Sequence, residues 1–376
     1  MHIDQIIKLR QTIHQNPEIS NHEYDTAKRI AQFFKPLSPT EELDLSKTGK
    51  AFVFDSGVAG KTLMFRAELD ALPIQETSEV PYRSTKDKVA HACGHDGHMA
   101  IVAGLAAQIA QNPPQKGKVV MLFQPAEEVE QGARDVVNDP VFQSIQPDFI
   151  FGLHNIPGAP KHEIILKKGT FAAASKGMTV KLHGKTSHAA EPENGISPSI
   201  AIAKIITALN ELIQNQDQFT DLVLLTIIHV KMGEIAFGTS PGYAEVRATL
   251  RAYENEDMKK LTAQTEEIIH AISREEKLGV EISYNEVFPA VENNNEALSM
   301  VEASAKAHQL SISIRDKPFK WSEDFSYFTE KYKGCFFGLG AGTNQAQLHH
   351  SDYDFPDEIL ETGIQVFFEI YRKINL

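Results

Sequence analysis

Residues 91–100 read His-Ala-Cys-Gly-His-Asp-Gly-His-Met-Ala, placing three histidines, a cysteine and an aspartate within ten positions. Each such side chain, if buried, must find a partner or cost free energy, so a cluster this dense calls for something to bind. Cysteine, histidine and carboxylate are the donors of zinc and its first-row neighbours. The same donor types recur in four short motifs: Glu68-Leu69-Asp70, Pro125-Ala126-Glu127-Glu128, Gly152-Leu153-His154-Asn155 and Leu348-His349-His350-Ser351-Asp352. Any one of them alone reads as an ordinary surface turn. Together they point to a metal centre, and centres that hold two ions commonly drive hydrolysis. The chain has no Cys-x-x-Cys pair, which weighs against a closed structural zinc site. Glu127 and Glu128 follow a proline in a loop, where adjacent side chains can point differently; one ligand and one general base is the economical assignment.

These motifs need a scaffold that brings them together. Apolar, β-rich stretches at 51–54, 62–70, 118–124 and 149–155 alternate with helical patterns at about 2–16 and 24–35. Such alternation predicts an α/β layer with a substantially parallel sheet. In an open α/β sheet, ligands bind at the carboxyl ends of the strands, and four of the five motifs sit at or just after predicted strands or beside them. The stretch HMAIVAGLAAQIAQ puts Met99, Val102, Leu105, Ala106 and Ile109 on one face and stops at Asn112-Pro113-Pro114, so it predicts a helix starting at the cluster. From about 176 the order changes to strand, helix, strand, strand, helix, strand, a ferredoxin-like βαββαβ unit, with Ser197-Pro198 expected as N-cap and first-turn residue of its first helix. The α/β pattern then resumes with CFFGLG and a final amphipathic helix. We therefore expect a split catalytic domain, 1–175 and 288–376, with a mostly parallel central sheet and helices on both faces, interrupted by an inserted lid at 176–287.

Composition narrows the partners. The net charge of -13, without a basic stripe, argues against nucleic acid. No apolar run is long enough to cross a bilayer and the first residues read as an amphipathic helix, so neither a membrane span nor a signal peptide is expected. Two cysteines are too few for a disulfide framework, which favours the cytoplasm.

The stretches RQTIHQNPEIS, FRAELDALPI, HACGHDGHMA, LFQPAEE, GLHN, GKTSHAAEP, WSEDFSYF and LHHSDYDF, in this order over almost the whole chain, resemble the zinc-type exopeptidase and aminoacylase family. The branch is that of the amidohydrolases, which includes hippuricase-like enzymes, plant auxin-conjugate hydrolases and N-acetyl-diaminopimelate deacetylases. The resemblance implies two divalent metal ions, zinc or manganese first, cobalt or nickel as alternatives. It makes Cys93 the ligand between the two positions, and His95, His154, Glu128 and His349 further ligands, with His350 the alternative to His349. Glu127 takes the general-base position. Asp70 matches the aspartate placed behind a ligating histidine, while Glu68 stands where the family usually has an aspartate. In the lid, His188 corresponds to a histidine that reaches a neighbouring subunit's active site and helps polarise the scissile carbonyl, which implies a homodimer or higher homo-oligomer. Arg251 aligns with an arginine that contacts the substrate carboxylate. Gly238 replaces an asparagine usual in this branch.

The reaction so implied is hydrolysis of the amide bond of an N-acyl amino acid, N-acetyl-diaminopimelate or a similar compound, to a carboxylate and a free amino acid. A dipeptidase or aminopeptidase acting on short peptides would share the same dinuclear site. A non-enzymatic binding protein on this scaffold would have lost a ligand or the base, and all are present in the sequence. His91, Asp96 and His98 are expected to support the site or pack, and Trp321, Phe336, Phe337 and Cys335 to be structural.

Overall fold

A computed structural model describes residues 2–376. Its described residues divide into two compact units, one formed by 2–171, 291–318 and 323–376, the other by 172–290 with 319–322.

The first unit opens with helices α1 (Ile3–Gln15) and α2 (Tyr24–Phe34), then strands β1 (Glu41–Leu45), β2 (Gly49–Asp55) and β3 (Thr62–Glu68). Helix α3 (His95–Gln111), strands β4 (Lys118–Gln124), β5 (Phe149–Pro157) and β6 (Ile164–Leu166) complete its first part. The second unit carries β7 (Ala174–His183), α4 (Ser199–Gln214), β8 (Val223–Met232), β9 (Tyr243–Ala252), α5 (Asn255–Glu275) and β10 (Gly279–Phe288). The chain returns to the first unit with α6 (Asn295–Ala307), β11 (Ile312–Ile314), β12 (Lys333–Gly342) and α7 (Leu360–Asn375).

The first unit is built on an eight-stranded sheet in the order β1-β2-β4-β3-β5-β12-β6-β11. Its centre, β4-β3-β5-β12, is parallel throughout. Parallel strands covered on both faces read as near-continuous apolar runs, and Leu63, Met64, Phe65, Val119, Met121, Phe123, Ile150 and Phe151 are all buried. Arg66 breaks the run in the middle of β3 and is nonetheless buried, so it must be paired. Helix α3 is apolar nearly all round, and accordingly it is buried along most of its length against α1, α7 and β3. Gly104 lets α3 and α7 approach: a Cβ there would lie 2.3 Å from Ile364 Cδ1.

Two local expectations are corrected. Helix α3 begins at His95, three residues before its apolar periodicity, because Gly94 takes the left-handed conformation (φ +94°) and turns the chain straight into the helix. In the second unit the helix starts one residue later than expected. Pro198 is the N-cap, Ser199 the first helical residue, and Ser197 Oγ accepts from the Ser199 N–H at 3.4 Å.

The second unit is a four-stranded antiparallel sheet in the order β8-β9-β7-β10, with α4 and α5 packed on each other and on the sheet. It extends beyond 176–287: Ala172 pairs with Phe319, and the Ala173 N–H donates to the carbonyls of Phe319 and Trp321, each at 3.1 Å, so 319–322 belongs to it.

Candidate metal centre

Glu68 and Gln124 stand opposite each other at the carboxyl ends of β3 and β4, and His154 lies near the end of β5, the next strand on the other side of β3. Adjacent parallel strands therefore deliver the ELD, PAEE and GLHN motifs to one edge. The N-terminus of α3 brings Cys93 and His95 to the same place. His349 arrives from the loop after β12, fixed by its N–H donating to the Ala92 carbonyl at 2.8 Å.

Donor atoms of Cys93, His95 and His154 lie within 4.8 Å of one another, as do those of Cys93, Glu128 and His349, and those of His95, Glu127 and Glu128. Cys93 Sγ is 3.5 Å from His154 Nε2. His95 Nε2 is 3.8 Å from both Glu127 Oε2 and Glu128 Oε1, so the two glutamates share one histidine and diverge only beyond it. Glu128 Oε2 continues to His349 Nε2 at 3.8 Å, while Glu127 joins Glu323 and Asp324. His350 is in none of the donor groups among the described residues.

The other nitrogens of the histidines are held. His95 Nδ1 is 2.9 Å from the Asp70 carbonyl and 3.3 Å from its carboxylate, and Asp70 in turn accepts from Ser20 Oγ at 2.7 Å and from the Glu128 N–H at 2.9 Å. His154 Nδ1 donates to the Asn155 carbonyl at 2.9 Å. Both rings thus turn Nε2 toward the cluster, as ligating histidines do when a neighbour fixes the tautomer. His95 Nε2 and Glu128 Oε1 are buried and make no hydrogen bond. An unpartnered donor set of this composition fits a divalent cation.

Electrostatics agree. Burial, then Glu323 and Glu128, pushes the Glu127 carboxyl well above its ordinary range. Burial raises Glu128 to about 7 against the opposing pull of His95. Burial works against a charged His95, but Asp70 and Glu128 outweigh it and lift the ring to about 9. Burial and the two glutamates push the Cys93 thiol far up. Carboxylates and a thiol crowded together in a buried place repel as anions, and divalent charge reverses that balance.

Behind the cluster lie residues that the sequence alone did not single out. Arg66 is encircled by Gln124 (2.8 Å), Glu323 (2.8 Å), Asp324 (2.7 Å) and Glu68. Arg10 pairs with Asp96 at 3.1 Å and Asp354 at 2.7 Å, and His14 Nδ1 with Asp96 at 2.9 Å, which ties α1 to the start of α3. The sequence signal for both is a charged residue inside an apolar run or on an apolar helix face, which names no partner. Asp96 is thus engaged in pairing, and His98 Nδ1 lies 2.7 Å from Glu68 Oε2, whereas neither ring nitrogen of His91 has a hydrogen-bond partner. Cys335, Phe336 and Phe337 are buried in β12, and Trp321 stacks on Phe319 at 4.8 Å.

His188 and Arg251 belong to the second unit. His188 is exposed, pairs with Thr239 in a short ladder and accepts the Ala190 N–H on Nδ1 at 3.1 Å. Arg251 donates to the Lys320 carbonyl at 2.9 Å and to Ser322 Oγ at 3.0 Å.

An α/β sheet that is parallel at its centre, with Cys, His and Glu donors gathered at the carboxyl ends of its strands, defines a metallohydrolase. The model of the peptidase family M20/M25/M40 matches residues 64–373, and the chain belongs to that family. It is 32% identical over 368 residues to the hippurate hydrolase of Campylobacter jejuni, covering 97% of this chain and 95% of the relative. It is 30% identical over 383 residues to the N-acetyldiaminopimelate deacetylase of Bacillus subtilis, covering 99% and 100%. The solved structure of a dinuclear metal binding peptidase from the M20 family of Bacillus subtilis superposes with a TM-score of 0.84 at 28% identity, covering 98% of this chain and 97% of that one. No helix among the described residues is long and apolar enough to cross a membrane.

Proposed function

We propose that the protein hydrolyses the amide bond of N-acyl amino acids at a dinuclear centre, releasing a carboxylate and a free amino acid. The observation that carries this reading is the convergence of buried Cys93, His95, His154 and Glu127 with half-buried Glu128, with His95 Nε2 and Glu128 Oε1 unpartnered. Cys93, His95, Glu128, His154 and His349 would hold two divalent ions, zinc or manganese. Such ions supply Lewis acidity, which polarises a carbonyl and lets water ionise near neutral pH.

The chain's own groups divide the remaining work. Glu127 takes the proton of the attacking water and returns it to the departing nitrogen. Asp70 orients His95. Arg251, a guanidinium fork, receives the substrate carboxylate, and His188 supports the developing oxyanion.

The inserted unit serves as a ferredoxin-like lid and dimerisation domain. Its strand order supports this, as does its outer strand β8, which is unpaired on one side and exposes Ile228, Val230 and Met232. Ile235 and Phe237, in the hairpin beyond it, are fully exposed. An apolar edge of this kind is normally covered, and a second copy of the chain brings His188 to its partner's site. Two free cysteines, one of them a proposed thiolate ligand, accord with a reducing cytoplasm.

The test is turnover of metal-reconstituted protein on N-acyl amino acids, including hippurate and N-acetyl-diaminopimelate, beside a dipeptide panel. Release of free amino acid from the acylated panel is expected. Hydrolysis confined to dipeptides would replace this reading with that of a dipeptidase.

A further inference from the structure

Glu68 ends β3 beside the metal centre, and its donor atoms fall within 4.8 Å of those of His95 and His98, a grouping that by composition could hold an ion. The contacts say otherwise. One carboxylate oxygen accepts from Arg66 Nη1, and the other lies 2.7 Å from His98 Nδ1. A carboxylate can only accept, so His98 carries a proton on Nδ1 and donates it. The far ring nitrogen, Nε2, meets the Asn155 side-chain amide at 2.6 Å, and the other end of that amide meets the Tyr353 hydroxyl. Glu68, His98 and Asn155 are all buried, and every polar end of this chain is taken.

The last link lies beside the turn and the strand that carry three of the proposed ligands. Asn155 follows His154 in β5. Its side chain fills the space beside Gly94, where a Cβ would lie 2.5 Å from Oδ1, and Gly94 separates Cys93 from His95. The His98 ring also packs edge-on against His154, with centroids 4.9 Å apart.

We propose that Glu68 is a positioning residue which, through His98 and Asn155, sets the placement of Cys93, His95 and His154 for metal binding. The length of Glu68 is what the relay uses: the side chain spans from Arg66, held by Glu323 and Asp324, to the ring of His98. A shorter carboxylate reaches one of these and releases the other. This inference rests on the dinuclear reading of the site and not on any substrate.

The experiment loads wild type, Glu68→Gln, Asn155→Ala and the double variant with Co²⁺, and reads chelator-competition affinity, the thiolate-to-cobalt absorption band and the thermal unfolding of the metal-free proteins. Removing a group that orients metal ligands typically weakens binding by about 10–100-fold. Each single variant is expected to show a loss of that order with an altered thiolate band, and the double variant to be no worse than the weaker single, because both lesions cut one relay. Wild-type affinity and spectrum in folded Glu68→Gln, with only a lowered unfolding temperature, would overturn the proposal. So would losses that multiply in the double variant, or a loss in Glu68→Gln that Asn155→Ala does not share, the pattern of a direct ligand. Should Glu68→Gln fail to fold, Glu68→Asp keeps the charge against Arg66 and carries the same readouts with the same expected loss. Wild type that binds Co²⁺ with a thiolate band but hydrolyses no N-acyl amino acid would sink the functional reading and leave this measurement standing.

Discussion

His95 Nε2 and Glu128 Oε1 face each other at 3.8 Å, both buried and neither hydrogen-bonded. That distance is too long for a direct hydrogen bond and suits two donors sharing one ion. Glu127 stands equally far from the same nitrogen but also groups with Glu323 and Asp324, the difference on which the proposed division into ligand and base rests.

The two glutamates should accordingly fail in different ways. Glu127→Gln is expected to lower kcat by ~10²–10⁴-fold, the usual cost of losing a general base, with metal content near wild type. Glu128→Gln is expected to lose metal. Metal analysis beside steady-state kinetics checks both. Full metal and full rate in both variants would refute the assignment.

On the proposed ligand set, Cys93 would make binding depend on a thiolate. A serine hydroxyl is a poor ligand at neutral pH, whereas a cysteine beside a cation ionises readily. Cys93→Ser should therefore weaken binding at one metal position at least. Unchanged stoichiometry and affinity by calorimetric titration would count against Cys93 as a ligand.

His14 makes stability depend on pH. Burial alone would lower its pKa, but Asp96 and Glu76 outweigh burial and raise it to about 9 from an ordinary value of 6.5. Between these two values the native state binds more protons than the unfolded chain, so the contribution is complete below about pH 6.5 and disappears as pH rises through about 9. Its size is roughly 3 kcal/mol, at about 1.4 kcal/mol for each unit. Denaturant unfolding at pH 6 and pH 9 should show a larger loss in wild type than in His14→Gln. Equal losses in the two proteins would remove His14 from the account.

Subunit exchange decides how His188 acts. If it serves the partner's site, mixing His188→Ala with Glu127→Gln forms dimers in which one site carries both lesions and the other neither, and roughly half of the mixed dimers' sites should turn over. If it serves its own chain, every site keeps one lesion, and activity stays at the level of the separate variants.

Gly94 offers a steric test of the ligand turn. Its positive φ and the 2.5 Å approach of Asn155 leave no room for a methyl group. Gly94→Ala should destabilise the fold by ~1–3 kcal/mol and weaken metal binding together. A variant with wild-type melting temperature and metal affinity would show that this turn is adaptable.

Local chemistry and periodicity were legible in the sequence. The cluster at 91–100, the paired glutamates after an apolar strand and the switch from apolar runs to a βαββαβ order all depend on neighbours within a few positions, and there side-chain spacing maps directly onto strand and helix geometry. The resemblance to the amidohydrolase branch, and not spacing, named Cys93, His95, Glu127, Glu128, His154 and His349 as one candidate set. Their approach to within 4.8 Å of one another in threes came from the tertiary structure, in which the parallel order β4-β3-β5, the start of α3 and the loop after β12 meet, because contacts between residues about 60 or 250 positions apart are not set locally. The structure alone likewise decided what surrounds Arg66, why Glu68 turns to His98, and how Arg10 and His14 meet Asp96. A buried charge is tolerated only where opposite charges from distant segments converge on it, and no local pattern records that convergence.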